Sequence, residues 1–367
     1  MSASVTRAQV LAFRVRSQQL DRDAGTLDDT AILDLGVQDT GPDGALWALA
    51  LRGVPVGDLP PEALVTVWTV RGAPHVYRRA DLAEVAAAVQ PFSDEDAGKR
   101  IYDATKPLRA AGISNLDALN AVAANMRSVV TAPMVKGELS TRLTALMDRP
   151  YLRDCRPCGA THLYEMPFRL AALRAGLELQ PGTSPPVLQP VPGLVPADDV
   201  PARLDVVRGY LRLLGPATPQ QVAGYLDAPV RDVRSRWPAD AVEVVVDGEA
   251  RSILSDDVDA LTGTGRVRTT RLLGPFDLYL QGRDRSLLVA DPAHAKALWP
   301  TLGRPGAVLV DGEVAGTWRP RATGSRLKVQ VELWRPATAR LRGEIEEQAG
   351  RLAAHRGVRL TAVDLTA

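Results

Sequence analysis

Cysteine is almost missing from this chain, with two in 367 residues. A disulfide-built scaffold is thereby excluded, and a reducing compartment is expected. Lysine is scarce as well: only five of the 44 basic residues are lysine, and the rest are arginine. With 43 acidic residues the net charge is +1, so no strong overall field of either sign exists. A GC-rich coding sequence accounts for the arginine bias. The guanidinium fork also suits bidentate phosphate recognition, and a near-neutral chain binds nucleic acid when its basic residues share a face. No run of about 20 apolar residues is present, which excludes a transmembrane helix. Met1-Ser2-Ala3-Ser4-Val5-Thr6-Arg7 lacks the basic-then-apolar form of a signal peptide. The expectation is a soluble, cytoplasmic protein with no membrane partner.

Apolar residues make up 46% of the chain, ample for packed cores. The length predicts two to four modules. Residues 5–19 read as a helix. Asp28 or Asp29 is placed to cap a second helix through Ile32, Leu33 and Leu35. Val65 to Arg71 alternates like a strand and continues after a Gly72-Ala73-Pro74 turn. Lys136 opens a helix through Leu143 and Leu146. A later helix has Pro167 near its start and Gly176 as its stop. Residues 181–201 hold seven prolines and read as a linker.

The next stretch carries the clearest pattern. Leu204, Val207, Leu211 and Leu214 form one stripe, ended by Gly215-Pro216. Thr218-Pro219-Gln220-Gln221 is a capping box with proline at the first helical position. A short helix runs to Leu226, and Pro229 opens a third that Pro238 closes. Val242–Val246, Asp247-Gly248 and Glu249–Leu254 predict a hairpin with a two-residue turn. Three helices and a hairpin predict a winged helix. Its third helix bears Arg231, Arg234 and Arg236, suited to phosphates or guanine edges; winged helices also serve as packing modules. Arg71, Arg78 and Arg79 flank a second hairpin that suits either a groove or a charged edge strand. Beyond residue 259 the pattern turns β-rich, with a second turn at Asp311-Gly312, alternation at Leu327, Val329, Val331 and Leu333, and a closing helix over 336–355.

Cys155-Arg156-Pro157-Cys158-Gly159-Ala160-Thr161-His162 offers two thiolates and an imidazole at workable metal spacing. A structural zinc takes four ligands, no second cysteine pair exists, and His75, His294 and His355 are far away in sequence. The reading adopted is a Pro-Gly turn with two ordinary thiols and no metal. His75 is read as structural. Asp277 is read as turn-forming or ion-paired near Arg283 and Arg285.

The most informative stretch is Asp34-Leu35-Gly36-Val37-Gln38-Asp39-Thr40, closed by Gly41-Pro42. Phe13 to Leu20 precedes it and Trp47 to Arg52 follows. Together with Leu309-Val310-Asp311-Gly312-Glu313-Val314-Ala315-Gly316-Thr317-Trp318, it resembles the AlkZ/YcaQ-type winged-helix DNA glycosylases. Leu272 to Asp277 and Gly282 to Ser286 match the same family. Such enzymes remove N7-alkylated purines and unhook interstrand crosslinks. The resemblance implies an α+β fold of tandem winged helices with a β-rich C-terminal module, divided as 1–128, 129–198, 199–258 and 259–367. It implies a monofunctional, monomeric enzyme acting on double-stranded DNA with alkylated purines, and no cofactor. In the family a glutamine, followed two residues on by glutamine or aspartate, forms the active site. Gln38 matches the first position, Thr40 stands at the second, and Asp39 lies between. If the segment is extended, residues 38 and 40 share a face and Asp39 points away; if it is a helical turn, Gln38 and Asp39 are neighbours. A non-catalytic winged-helix regulator is the alternative function.

Overall fold

The computed structural model describes residues 3–41 and 44–366. They form α-helices and four sheets, so the protein is a mixed α+β fold. Pro42, which the sequence places in a closing turn, lies outside the described residues. Among those residues no helix is long and apolar enough to cross a membrane.

The chain divides into two compact units. The first comprises Met1–Pro60, Arg208–Gln221 and Pro238–Ala367; the second comprises Pro61–Val207 and Val222–Trp237. Neither is a consecutive stretch, and residues 199–258 are shared between them.

In the first unit, Thr270–Leu273, Gly306–Val310, Glu313–Thr323 and Arg326–Leu333 form an antiparallel meander. Arg359–Thr366 adds in parallel beside Arg326–Leu333. A parallel neighbour needs a crossover, and the helix Ala339–His355 supplies it, burying Leu341, Ile345, Ala349 and Leu352. The sequence pattern stops at that helix; the strand after it is a correction. Asp311 and Gly312 have φ of 52° and 88°, as a two-residue hairpin turn with both central residues left-handed requires. A second sheet pairs Ala3–Val5 in parallel with Ala241–Val246, which runs antiparallel to Glu249–Leu254. Asp247 and Gly248 make the same turn, at 45° and 90°.

Buried ion pairs cross this unit. Arg14 meets Asp284 at 2.7 Å, and Arg251 meets the same carboxylate at 2.6 Å. Burial opposes the Asp284 charge, but Arg14 and then Arg251 outweigh it and hold the carboxyl below the ordinary range. Asp277 is ion-paired, as expected, but with Arg52 rather than with Arg283 or Arg285. Asp29 caps no helix: its carboxylate accepts from the Thr26 amide and pairs with Arg22.

In the second unit, Pro74–Arg78, Leu64–Trp68, Leu177–Leu179, Val187–Pro190 and Met134–Val135 lie side by side. The proline-rich stretch expected to be a linker therefore contributes a strand. Leu188 is fully buried there and pairs with Leu179 and Met134, so burial of one apolar residue overrides composition. The helix Asn115–Val129 packs on Glu165–Arg174. A separate hairpin joins Leu152–Cys155 to Ala160–Leu163.

His75 lies fully buried in this unit, its Nδ1 3.0 Å from the Ala73 carbonyl oxygen. Burial first, then the Arg71 charge, push the imidazole down to about 3, against the opposing effect of that hydrogen bond. The ordinary value is 6.5, so the unfolded chain takes up a proton that the folded chain refuses. The linkage costs nothing above pH 6.5, where both states are neutral, and the stability lost grows progressively as the pH falls towards 3. Urea unfolding across that window is expected to show His75→Leu less acid-sensitive than the parent.

Candidate active site

The Gln38 segment is built in the first unit. Ile32–Leu35 forms a single helical turn whose Ile32, Leu33 and Leu35 are buried. Asp34 pairs with Arg212 at 2.8 Å, tying that turn to the helix Val206–Leu214. The chain then extends through Val37–Gln38. Val37 is buried, whereas Gln38, Asp39 and Thr40 are half-buried.

Of the two geometries open to the sequence, the extended one holds. Gln38 Nε2 donates to Thr40 Oγ1 at 3.1 Å, so these side chains meet on one face. Asp39 turns away, and its Oδ1 accepts the Ala45 amide at 2.9 Å, capping the helix Gly44–Ala50. Gly44 makes this approach possible: its φ is +30°, and a Cβ there would meet Asp39 Oδ1 at 2.0 Å. The capped helix is fixed at its far end. Trp47 Nε1 donates to the Leu272 carbonyl at 2.8 Å, and Arg52 reaches Asp277 with two bonds of 2.9 Å.

Removing this cap has a measurable consequence. Asp39→Ala is expected to lower unfolding stability by about 1 kcal/mol, the ordinary worth of a helix cap. Asp39→Asn keeps an acceptor oxygen and is expected to retain most of it. Thermal unfolding of the two variants side by side makes the comparison.

Thr40 also lines a cleft of about 300 Å³ with Pro275, Arg304, Arg319, Pro320 and Arg321. Arg304 lies over the Phe276 ring, 5.0 Å from its centre. Arg321 donates to Gln330 at 2.9 Å. Arg319 is exposed, and among the described residues no carboxylate pairs with it. Sequence reading missed these arginines. The available signal was Arg319 and Arg321 alternating beyond the buried Trp318 in one strand.

The other candidates are in the second unit. Arg231, Arg234 and Arg236 are exposed on and just after the helix Val230–Ser235. Arg231 pairs with Glu95 and Asp232, and Arg236 lies over the Phe92 ring at 4.6 Å. Arg71 donates to the Tyr225 carbonyl at 2.6 Å and lies over its ring. Arg78 is buried beside Asp81, and Arg79 pairs with Glu178 at 2.7 Å. These last three are engaged within the unit. The ligand atoms of Cys155, Cys158 and His162 lie within 4.8 Å of one another. The Cys158 side chain first, then His162 and the Cys158 amide, hold the Cys155 thiol down to about 7.

Comparison with known proteins identifies the family. The chain is 25% identical over 351 residues to a protein of Streptomyces sahachiroi described as an interstrand DNA cross-link repair glycosylase, covering 84% of this chain and 86% of that one. The solved structure of the Streptomyces sahachiroi DNA glycosylase AlkZ shares the fold, with a TM-score of 0.73 at 23% identity over 99% of this chain and 100% of that one. The profile described as DNA glycosylase AlkZ-like matches residues 32–355, a span that includes Gln38, Thr40 and the helices and hairpin of 206–254. The chain belongs to the AlkZ-like DNA glycosylase family.

Proposed function

We propose that this protein hydrolyses the N-glycosidic bond of N7-alkylated purines in double-stranded DNA, including purines joined in interstrand crosslinks or carrying bulky adducts. The observation that carries this reading is the Gln38–Thr40 hydrogen bond beside an arginine-lined cleft. The relative from Streptomyces sahachiroi, described as a cross-link repair glycosylase, supports the crosslinked part of this substrate range.

An N7-alkylpurine carries a positive charge. When the bond from C1′ to the base breaks, its electron pair moves onto the purine and cancels that charge. The base leaves neutral, and no general acid is needed. Water adds to C1′ and gives up one proton to bulk solvent. What the protein must supply is an oriented water and stabilisation of the cationic sugar. Glutamine is no base near neutral pH, but its amide oxygen accepts from a water. Donation from Nε2 to Thr40 fixes which way the Gln38 amide faces, leaving Oε1 for that water. The Thr40 hydroxyl receives Gln38 on a lone pair and keeps its proton to donate. Asp39 acts as a positioning residue through the helix cap, and its charge favours the oxocarbenium sugar.

Tandem winged helices are the proposed means of holding DNA. The third helix of 206–235 presents Arg231, Arg234 and Arg236, and its hairpin follows at 241–254. Arg304, Arg319 and Arg321 are further proposed phosphate contacts, sited where Thr40 is. The regulator alternative finds no support in the family match. The test is alkali-revealed strand cleavage of a duplex carrying one N7-alkylguanine, with Gln38→Ala beside the parent protein.

A further inference from the structure

The hairpin Leu152–Cys155/Ala160–Leu163 has two strands of four residues and stands apart from the larger sheets. Of its strand residues only Leu163 is buried. Leu152 pairs with Leu163 at the base, and above it come Arg153 with His162, Asp154 with Thr161 and Cys155 with Ala160. A lone two-stranded hairpin is marginal in water, and here no apolar pair holds the outer end.

That end gathers three soft ligands instead. Cys155 and Cys158 bring their Sγ atoms to 3.0 Å. Cys155 faces Ala160, and His162 lies two residues further on the same face, so thiol and imidazole are diagonal neighbours across the ladder. His162 Nδ1 sits 2.7 Å from the Leu163 carbonyl oxygen. Donation there fixes the tautomer and leaves the Nε2 lone pair for a ligand, the usual support of a metal-binding histidine. Gly159, at φ +63°, turns the chain back immediately after the second cysteine. Asp154 is engaged by Arg149 and Thr161, so it is not a ligand.

We propose that Cys155, Cys158 and His162 bind one zinc ion, with water in the fourth position, and that this ion clamps the outer end of the hairpin. Two thiolates and an imidazole select zinc over magnesium or calcium. Each thiol releases its proton to solvent on binding, and the fourth tetrahedral position opens on the exposed side, where Cys158 lies. The clamp belongs to the second unit and takes no part in the hydrolysis proposed at Gln38.

The full chain, purified under reductant, is stripped with chelator and reloaded with zinc or cobalt. Elemental analysis is expected to find one zinc per chain, and cobalt to give thiolate charge-transfer absorption. Cys155→Ser and Cys158→Ser are expected to abolish both signals, and His162→Ala to weaken binding at least about tenfold. Amide exchange over residues 152–163 is expected to slow on adding zinc. None of the three residues is buried, and an unchanged melting curve of each metal-free variant shows that the fold survives. Reduced, titratable thiols that retain no zinc and give no cobalt absorption overturn the proposal. So does a Cys155–Cys158 disulfide whose reduction restores no metal binding.

Discussion

Gln38→Ala is expected to slow release of N7-alkylguanine by about a hundredfold or more, the effect of deleting one preorganised hydrogen-bonding group at a reacting centre. Duplex binding is expected to change little, because arginines rather than Gln38 are the proposed phosphate contacts. The size of the effect follows from the chemistry. The leaving group is already activated, so the chain's contribution concentrates in holding water and tolerating a cationic sugar. Gln38 is half-buried and bonded to Thr40, so alanine removes both the water's acceptor and the donor that aligns Thr40. Thr40→Val is expected to cost about tenfold, since the Gln38 amide stays present but loses its fixed orientation. Single-turnover cleavage with a melting curve for each variant separates the two explanations. A rate loss matched by lost stability makes Gln38 a packing residue. A rate loss at unchanged stability places it at the chemistry. An unchanged rate removes Gln38 from the mechanism and the proposed site with it.

The second large effect is on folding. Arg52 and Asp277 are both fully inaccessible through their side chains. Arg52 also donates to the carbonyls of Gln18 and Ala48, and Asp277 accepts the Tyr279 amide. Asp277→Ala leaves a buried guanidinium without its counter-charge. The expected loss is about 3–5 kcal/mol, read as a lowered urea midpoint, the range found when one partner of a buried pair is removed. The double variant Arg52→Met, Asp277→Leu removes the uncompensated charge and is expected to be more stable than Asp277→Ala alone. If the single variant is as stable as the parent, water reaches this pair and it is no anchor. The pair also bears on the candidate site: Arg52 follows the helix that Asp39 caps, and Asp277 lies two residues after Pro275 of the cleft.

Local chemistry made part of this legible in advance. Thr218 and Gln221 exchange the two bonds of a capping box, at 2.9 and 3.3 Å, between residues three apart. Asp247-Gly248 and Asp311-Gly312 specify their turns because those backbone angles suit few other residues. The strand Arg326–Leu333 shows itself by alternation, with Leu327, Val329, Val331 and Leu333 all buried. Each signal is complete within a few residues, and each element formed where the sequence placed it.

Other features needed partners that only the folded chain supplies. Val187–Pro190 looks like linker, and burial of Leu188 between neighbouring strands makes it sheet. Asp277 meets Arg52 across 225 residues, a distance at which no spacing rule operates. The segment 38–40 is short and polar, with no periodicity of its own, and both a strand and a turn satisfy it. Its direction is settled by the Ala45 amide, which draws Asp39 one way and leaves Gln38 and Thr40 to meet on the other side. The sequence alone determined the caps, turns and apolar faces, because these are contests among near neighbours. The tertiary structure decided which polar groups meet, because a side chain's partner depends on where distant backbone comes to rest.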